Sequence, residues 1–233
     1  NPYQLITHWL PDSEPLDYII HEVQRQLALV ETVGGATSDT KLSLKVPEES
    51  RQTIRAKLIA LGVHTDRPWL VLHAGVSEEK RRYPADKYIT ACRSLIKQGH
   101  KIVLTGSSSE RNYVDDIAYR LGDGAVNLAG NLSVAELIAL IAAAPVLISN
   151  NTGPVHIAAA VGTPVVVLYA KTNPQHTPWK VLNRVLYFEV RAELRTKNRL
   201  LQSFPEVAGP QASPEAITTA VNELVRYELC ESE

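Results

Sequence analysis

The chain contains no methionine and only two cysteines, Cys92 and Cys230, which lie far apart and form no CxxC pair. That spacing provides neither a disulfide framework nor a zinc-ligand pattern, and it fits a reducing compartment. Excess charge is lacking too. The formal net charge is −1, so no global field draws the chain to nucleic acid or an anionic membrane, and any basic site must be local. No apolar run approaches the roughly 18 residues of a bilayer-spanning helix. The mixed, proline-rich start NPYQLITHWLPDSEP is not a signal peptide. A chain that starts at Asn1 without an initiator methionine reads as a piece of a longer protein.

Several catalytic signatures are absent as well. No G-x-G-x-x-G follows a strand, which argues against a dinucleotide dehydrogenase. No G-x-x-x-x-G-K-[ST], H-E-x-x-H or G-x-S-x-G is present. The seven histidines are scattered and no metal-ligand cluster is visible. What remains is an ordinary globular composition, 45% hydrophobic and 21% charged over 233 residues, with ample material for a core.

The apolar pattern predicts alternating strands and helices. Helices are expected over 13–29 and 48–61, joined by a Gly/Ser/Thr-rich linker over 33–47. From Trp69 the alternation becomes regular. WLVLHAG, KIVLTG, AVNLAG, PVLIS and PVVVLY read as strands, with a last strand over 185–190. Between them lie PADKYITACRSLIKQG, SERNYVDDIAYRL, SVAELIALIAAA and GPVHIAAAVG as helices. Ser133 and Glu136 have capping-box spacing, and a C-terminal helix is expected from Ser213 to about Leu229. The strands are apolar throughout rather than on one face, the pattern of a parallel sheet covered on both sides. The predicted fold is therefore a Rossmann-like, doubly wound α/β domain.

In such a sheet ligands bind beyond the carboxyl ends of the strands, and four loops lie there. GVSEEKRRYP carries Ser77, Lys80, Arg81 and Arg82; guanidinium groups grip phosphate bidentately, and a solvated charge cluster is the plain alternative. GSSSE places Glu110 where it could accept ribose hydroxyls or simply complete a helix cap. SNNTGPVH joins Asn151, Thr152, Gly153 and His156 to a helix N-terminus, a ready anion site. Gly153 admits a ligand without a Cβ in the way, and Pro154 suits the first helical position. AKTNPQHTPW brings Thr172, Gln175 and His176, either a sugar pocket or an ordinary connecting loop.

Taken in order, HAGVSEEKRRYP, VLTGSSSE, VNLAGNLSVAELIALIAAA and SNNTGPVHIAAAVGTPVVVLYAKTNP resemble the bacterial family 9 glycosyltransferases, which include the lipopolysaccharide heptosyltransferases. The resemblance runs from about His21 to Val190. It implies a GT-B architecture, two Rossmann-like domains facing across a cleft, of which this chain is the C-terminal, donor-binding half. Residues 1–62 would then be inter-domain helices and linker, 63–190 the nucleotide-sugar-binding domain, and 191–233 an extension packing back on the fold. The implied donor is a nucleotide-diphosphate sugar, typically ADP-heptose, and the acceptor a saccharide or glycolipid. No metal or cofactor is expected, and the general base belongs to an N-terminal acceptor domain. The implied location is cytoplasmic, including the inner face of the bacterial membrane. By position, Arg81 stands where the family has a diphosphate-contacting lysine, and Glu110 lies near the ribose-binding acid. Asn151, Thr152, Gly153 and His156 match the D-[ST]-G-x-x-H motif, with Asn151 replacing aspartate and so losing a negative charge while keeping hydrogen-bonding shape. A binding module without activity of its own is the alternative.

Overall fold

A computed structural model of the protein describes residues 19–76, 78, 82–170, 174–190 and 209–231. Six parallel strands form one sheet in the order β3-β2-β1-β4-β5-β6. They are β1 (Trp69–His73), β2 (Lys101–Thr105), β3 (Ala125–Asn127), β4 (Leu147–Asn150), β5 (Val165–Ala170) and β6 (Asn183–Phe188). The last strand starts earlier than the apolar pattern suggests, because Asn183 and Arg184 pair with Val165 and Val166 of β5.

Side chains alternate across a strand, and here each alternate set enters its own core. Leu70, Leu72, Ile102, Leu104, Ile148 and Val166 face one side. Trp69, Val71, Val103, Leu147, Val165 and Val167 face the other. Both sets are essentially solvent-free, which is why the central strands carry no polar alternation. Each fully buried branched side chain stabilises the fold by about 1.5–3 kcal/mol.

Helices cover both faces. On the first lie α3 (Ala85–Lys97), α4 (Arg111–Leu121) and the C-terminal α7 (Pro214–Glu231). On the second lie α2 (Glu48–Ala60), α5 (Val134–Ala143) and α6 (Gly153–Val161). α7 places Ile217, Val221 and Leu224 in the same core as α3. Its lead-in pairs with β6 through Tyr187 N–H to Pro210 O (2.8 Å) and Ala212 N–H to Tyr187 O (2.7 Å).

The first described helix, α1, spans Glu22–Glu31 and buries no residue; the start expected at Ser13 lies outside the described residues. Its cap is His21, whose Nδ1 accepts the Val23 N–H at 3.1 Å while Gln24 accepts the His21 N–H. Because Nδ1 accepts, Nε2 carries the proton and donates to Thr177 O at 2.8 Å. This bond and a ring contact with Trp179 (4.5 Å) tie α1 to the loop after β5. Among the described residues, no helix is long and apolar enough to cross a membrane.

Candidate functional site

β1 pairs with β2 on one side and with β4 on the other. The strand order reverses there, so the loops after β1 and β4 diverge and leave a crevice. A cleft of about 950 Å³ fills that position. Glu110, Asn151, Thr152, Gly153 and His156 all line it, so the structure brings these five expected residues together. Ser77 and Arg81 lie outside the described residues, as do Lys80 and Thr172. The neighbouring Arg82 is described and lines the cleft, its guanidinium 4.5 Å from the centre of the Tyr113 ring. His176 also lines the cleft, whereas Gln175 does not.

The far side of the cleft is the N-terminus of α6. The helix starts at Gly153, which makes Pro154 the second helical residue rather than the first. Its N-cap, Thr152, makes no capping bond. Its hydroxyl instead donates to Asn150 O at 3.3 Å, so among the described residues the N-cap side chain leaves the first turn uncapped. An N-terminus left in this way is suited to an anion. Asn151 is 7% exposed, and its Oδ1 is sealed from solvent without a hydrogen-bond partner. A carboxylate here would bury an uncompensated charge, which is far costlier than a buried amide.

Glu110 follows a capping turn. Its Oε2 accepts the Ser107 N–H (2.8 Å) and hydroxyl (2.7 Å), and its Oε1 accepts the Val76 N–H at 2.6 Å. The carboxylate therefore ties the loop after β2 to the loop after β1. Burial pushes its pKa up, but these hydrogen bonds, with His73 adding, hold it below the usual 4.5. The capping alternative is present in the geometry, and each oxygen keeps residual acceptor capacity toward the cleft.

His73 was not legible as a site residue. It ends β1 and lies on the floor of the cleft, its Nδ1 2.9 Å from Thr105 Oγ1. A histidine closing an otherwise apolar strand is the one signal that could have singled it out. Burial lowers its pKa from 6.5 to about 4, with Glu110 pulling the other way. The unfolded chain takes up this proton first on acidification. Stability is therefore complete above about pH 6.5 and falls as pH drops toward 4. The loss should reach about 2 kcal/mol by pH 5. Urea unfolding at pH 7 and pH 5 measures it, and His73→Asn should flatten the difference; an unchanged difference would assign the acid sensitivity elsewhere. His156 acts in the same direction, lowered first by burial and then by His176 and His21. Its ring lies 6.4 Å from that of His176.

On the remaining wall Leu132, Val134 and Leu137 form an apolar ledge. Val134 is 72% exposed. α5 is held in place by its Ser133/Glu136 capping box and by Lys57 of α2, which bonds Glu136 at 2.6 Å. Among the described residues, no group of three His, Cys, Asp or Glu side chains could hold a metal.

Fold and cleft together define a doubly wound α/β domain with an open polar crevice at its switch point. The chain belongs to glycosyltransferase family 9 (heptosyltransferase), whose model matches residues 9–202. Lipooligosaccharide heptosyltransferase 2 of Haemophilus influenzae is 36% identical over 102 residues, covering 42% of this chain and 30% of that protein. Lipopolysaccharide heptosyltransferase 3 of Escherichia coli is 31% identical over 163 residues, covering 69% and 46%. The chain thus spans less than half the length of these curated relatives. The crystal structure of a family 9 glycosyl transferase from Veillonella parvula superposes with a TM-score of 0.75 at 20% identity, covering 91% of this chain and 62% of that one. For the ADP-heptose lipopolysaccharide heptosyltransferase II of E. coli the TM-score is 0.60 at 22% identity, covering 80% and 54%. These two share the fold.

Proposed function

We propose that this chain is the donor-binding half of a family 9 glycosyltransferase and that its cleft holds a nucleoside-diphosphate sugar. In this reading residues 63–190 form the donor unit. The observation that carries it is the meeting of Arg82, the bare N-terminus of α6 at Gly153, and Glu110 around one cleft. Arg82 and the Gly153 amide face the diphosphate from two sides, with Arg81 and Ser77 assigned to the same group on sequence. Glu110 accepts from the ribose with its remaining lone pairs, and the apolar ledge at Val134 receives the base. Asn151, Thr152 and His156 stand at the phosphates and the sugar.

The reaction is transfer of the sugar to a saccharide hydroxyl. The acceptor oxygen forms a bond to the anomeric carbon as the bond to the diphosphate breaks. Negative charge collects on the departing diphosphate, where each preorganised donor contributes on the order of 10²-fold in rate. The acceptor proton goes to a base in an acceptor-side half. The named relatives point to ADP-heptose as the donor and to a lipopolysaccharide or lipooligosaccharide as the acceptor. A site at the inner face of the bacterial membrane follows from that acceptor.

Calorimetric titration with a panel of nucleoside diphosphates and their sugars tests this. ADP or ADP-heptose should bind, and Arg82→Ala should weaken binding about 10- to 100-fold, the worth of one charge-assisted phosphate contact. Lys41→Ala, on the exposed linker, should leave it unchanged. Equal effects of the two substitutions, or no nucleotide binding at all, would overturn the reading.

A further inference from the structure

We infer that Asn150 is a positioning residue of the donor site, the clasp that closes the base of the cationic loop between β1 and α3. The inference rests on the proposal that this cleft holds a nucleoside diphosphate. Asn150 is the last residue of β4 and is fully buried. Its Nδ2 donates to Ala74 O at 3.1 Å, and its Oδ1 accepts the Tyr83 N–H at 3.0 Å. Ala74 is the residue just before the loop and Tyr83 the residue just after it. One planar amide thus joins the two ends of the segment that carries Lys80, Arg81 and Arg82.

The chemistry demands this residue type. The two loop ends present one acceptor and one donor, and only a side chain that donates and accepts from the same plane satisfies both. Both ends are themselves buried, Ala74 and Tyr83 each at 0% exposure, so water cannot substitute. The Tyr83 side is anchored further: its hydroxyl donates to Ala212 O at 2.5 Å, and its ring packs edge-on against Tyr88 and Phe188. Arg82, directly before Tyr83, is the cation described in the cleft. With Tyr83 N–H fixed to Asn150, the Arg82 backbone has a set origin, and the Tyr113 ring then steers its guanidinium. Asn150 also accepts at its main-chain oxygen from the hydroxyls of Ser149 (2.7 Å) and Thr152 (3.3 Å). The same residue therefore touches both polar walls of the cleft, the cationic loop through its side chain and the α6 N-cap through its backbone.

Asn150→Asp separates positioning from mere packing, because it keeps the shape and changes one proton. The ionised carboxylate still accepts from Tyr83 N–H but opposes the Ala74 carbonyl oxygen. Once protonated, it donates to Ala74 O and restores both bonds. The ionisable groups nearby are Tyr88 on α3 and Tyr83 just after the loop, both kept protonated by burial. His73, at the end of the neighbouring strand, is neutral above about pH 4, and Glu110 is held ionised by its hydrogen bonds.

Calorimetry with ADP across pH 5 to 8 on the whole chain should show Asn150→Asp binding at least about 10-fold more weakly than wild type at pH 8. The gap should narrow toward pH 5, while Asn150→Ala stays weak throughout. A second measurement needs no nucleotide. Trypsin should cut after Arg82, ahead of the buried Tyr83, about 10-fold faster in both variants than in wild type at pH 8. Wild-type ADP affinity in Asn150→Asp at pH 8, or a constant deficit across pH, overturns the positioning role. If wild type binds no nucleoside diphosphate, the donor-site proposal fails, and loop cleavage alone then judges the clasp: an unchanged rate rejects it.

Discussion

Gly75→Ala is expected to destabilise the fold by about 2–4 kcal/mol, although it adds only a methyl group. An added Cβ would stand 2.3 Å from Glu110 Oε2 and 2.6 Å from its carboxyl carbon. The far end of a glutamate normally swings aside at little cost. This one is held by two backbone N–H groups and a hydroxyl, and hydrogen bonds to a charged acceptor contribute about 1.5–3 kcal/mol each, less where water replaces them. At this chain length such a loss lowers the melting temperature by about 5–15 °C. Glu110→Ala should cost a similar amount by leaving the same donors unpaired. The decisive measurement is the double variant. Once the carboxylate is gone the methyl group has room, so Gly75→Ala should add almost nothing in a Glu110→Ala background, a coupling of about 2 kcal/mol or more. Strictly additive costs would mean that Gly75 is required for some other reason. Acid should show the same bond. A carboxylate held below its usual pKa stabilises the fold above about pH 4.5 and loses that contribution as pH falls through the folded value. Both single variants should therefore be less acid-sensitive below pH 4.5 than wild type.

This bond also shows where the sequence is readable and where it is not. The order of elements follows from local chemistry. Five uninterrupted apolar runs, Ser133/Glu136 spacing, and Ser213 accepting the Ala216 N–H at 3.1 Å are all decided within a few residues of each other. The half of Glu110 that caps its own turn is legible for the same reason. Its other half, the bond to Val76, joins residues 34 positions apart, and nothing near Gly75 announces it. Asn150 and His73 are hidden in the same way. Each ends an apolar strand, and their partners lie 67 or more and 32 positions away, supplied by the parallel pairing of β1 with β4 and β2. The first helix shows a different failure. The expected start at residue 13 lies outside the described residues, while the cap that forms on Glu22–Glu31 is His21 with Gln24 reciprocating, and a histidine in that role has no strong prior. The strand reversal that opens the cleft belongs to the fold class rather than to any one motif.

Gly153→Val should have the opposite profile to Gly75→Ala, with an unchanged fold and an emptied site. The backbone of Gly153 is not left-handed, and among the described residues no atom outside its own turn and chain neighbours lies within 4 Å of an added Cβ. With open space at the Cβ among the described residues, a side chain there relieves some of the chain entropy that glycine loses on folding, so the melting temperature should hold or rise slightly. Yet Gly153 lines the cleft at the first residue of α6, where the uncapped amide and the helix dipole converge. An anion drawn to those groups must approach within hydrogen-bond distance of the amide, about 2.7–2.9 Å for a charged acceptor. Valine methyls beside it would forbid that approach. Removing the amide contact and displacing the ligand together should weaken ADP binding by at least about 100-fold, close to 3 kcal/mol. Thermal unfolding with and without ADP reads both sides at once: the variant should melt like wild type alone and gain no protection from nucleotide. Retained protection would place the diphosphate away from α6. A lower melting temperature without nucleotide would show that Gly153 serves the fold rather than a ligand.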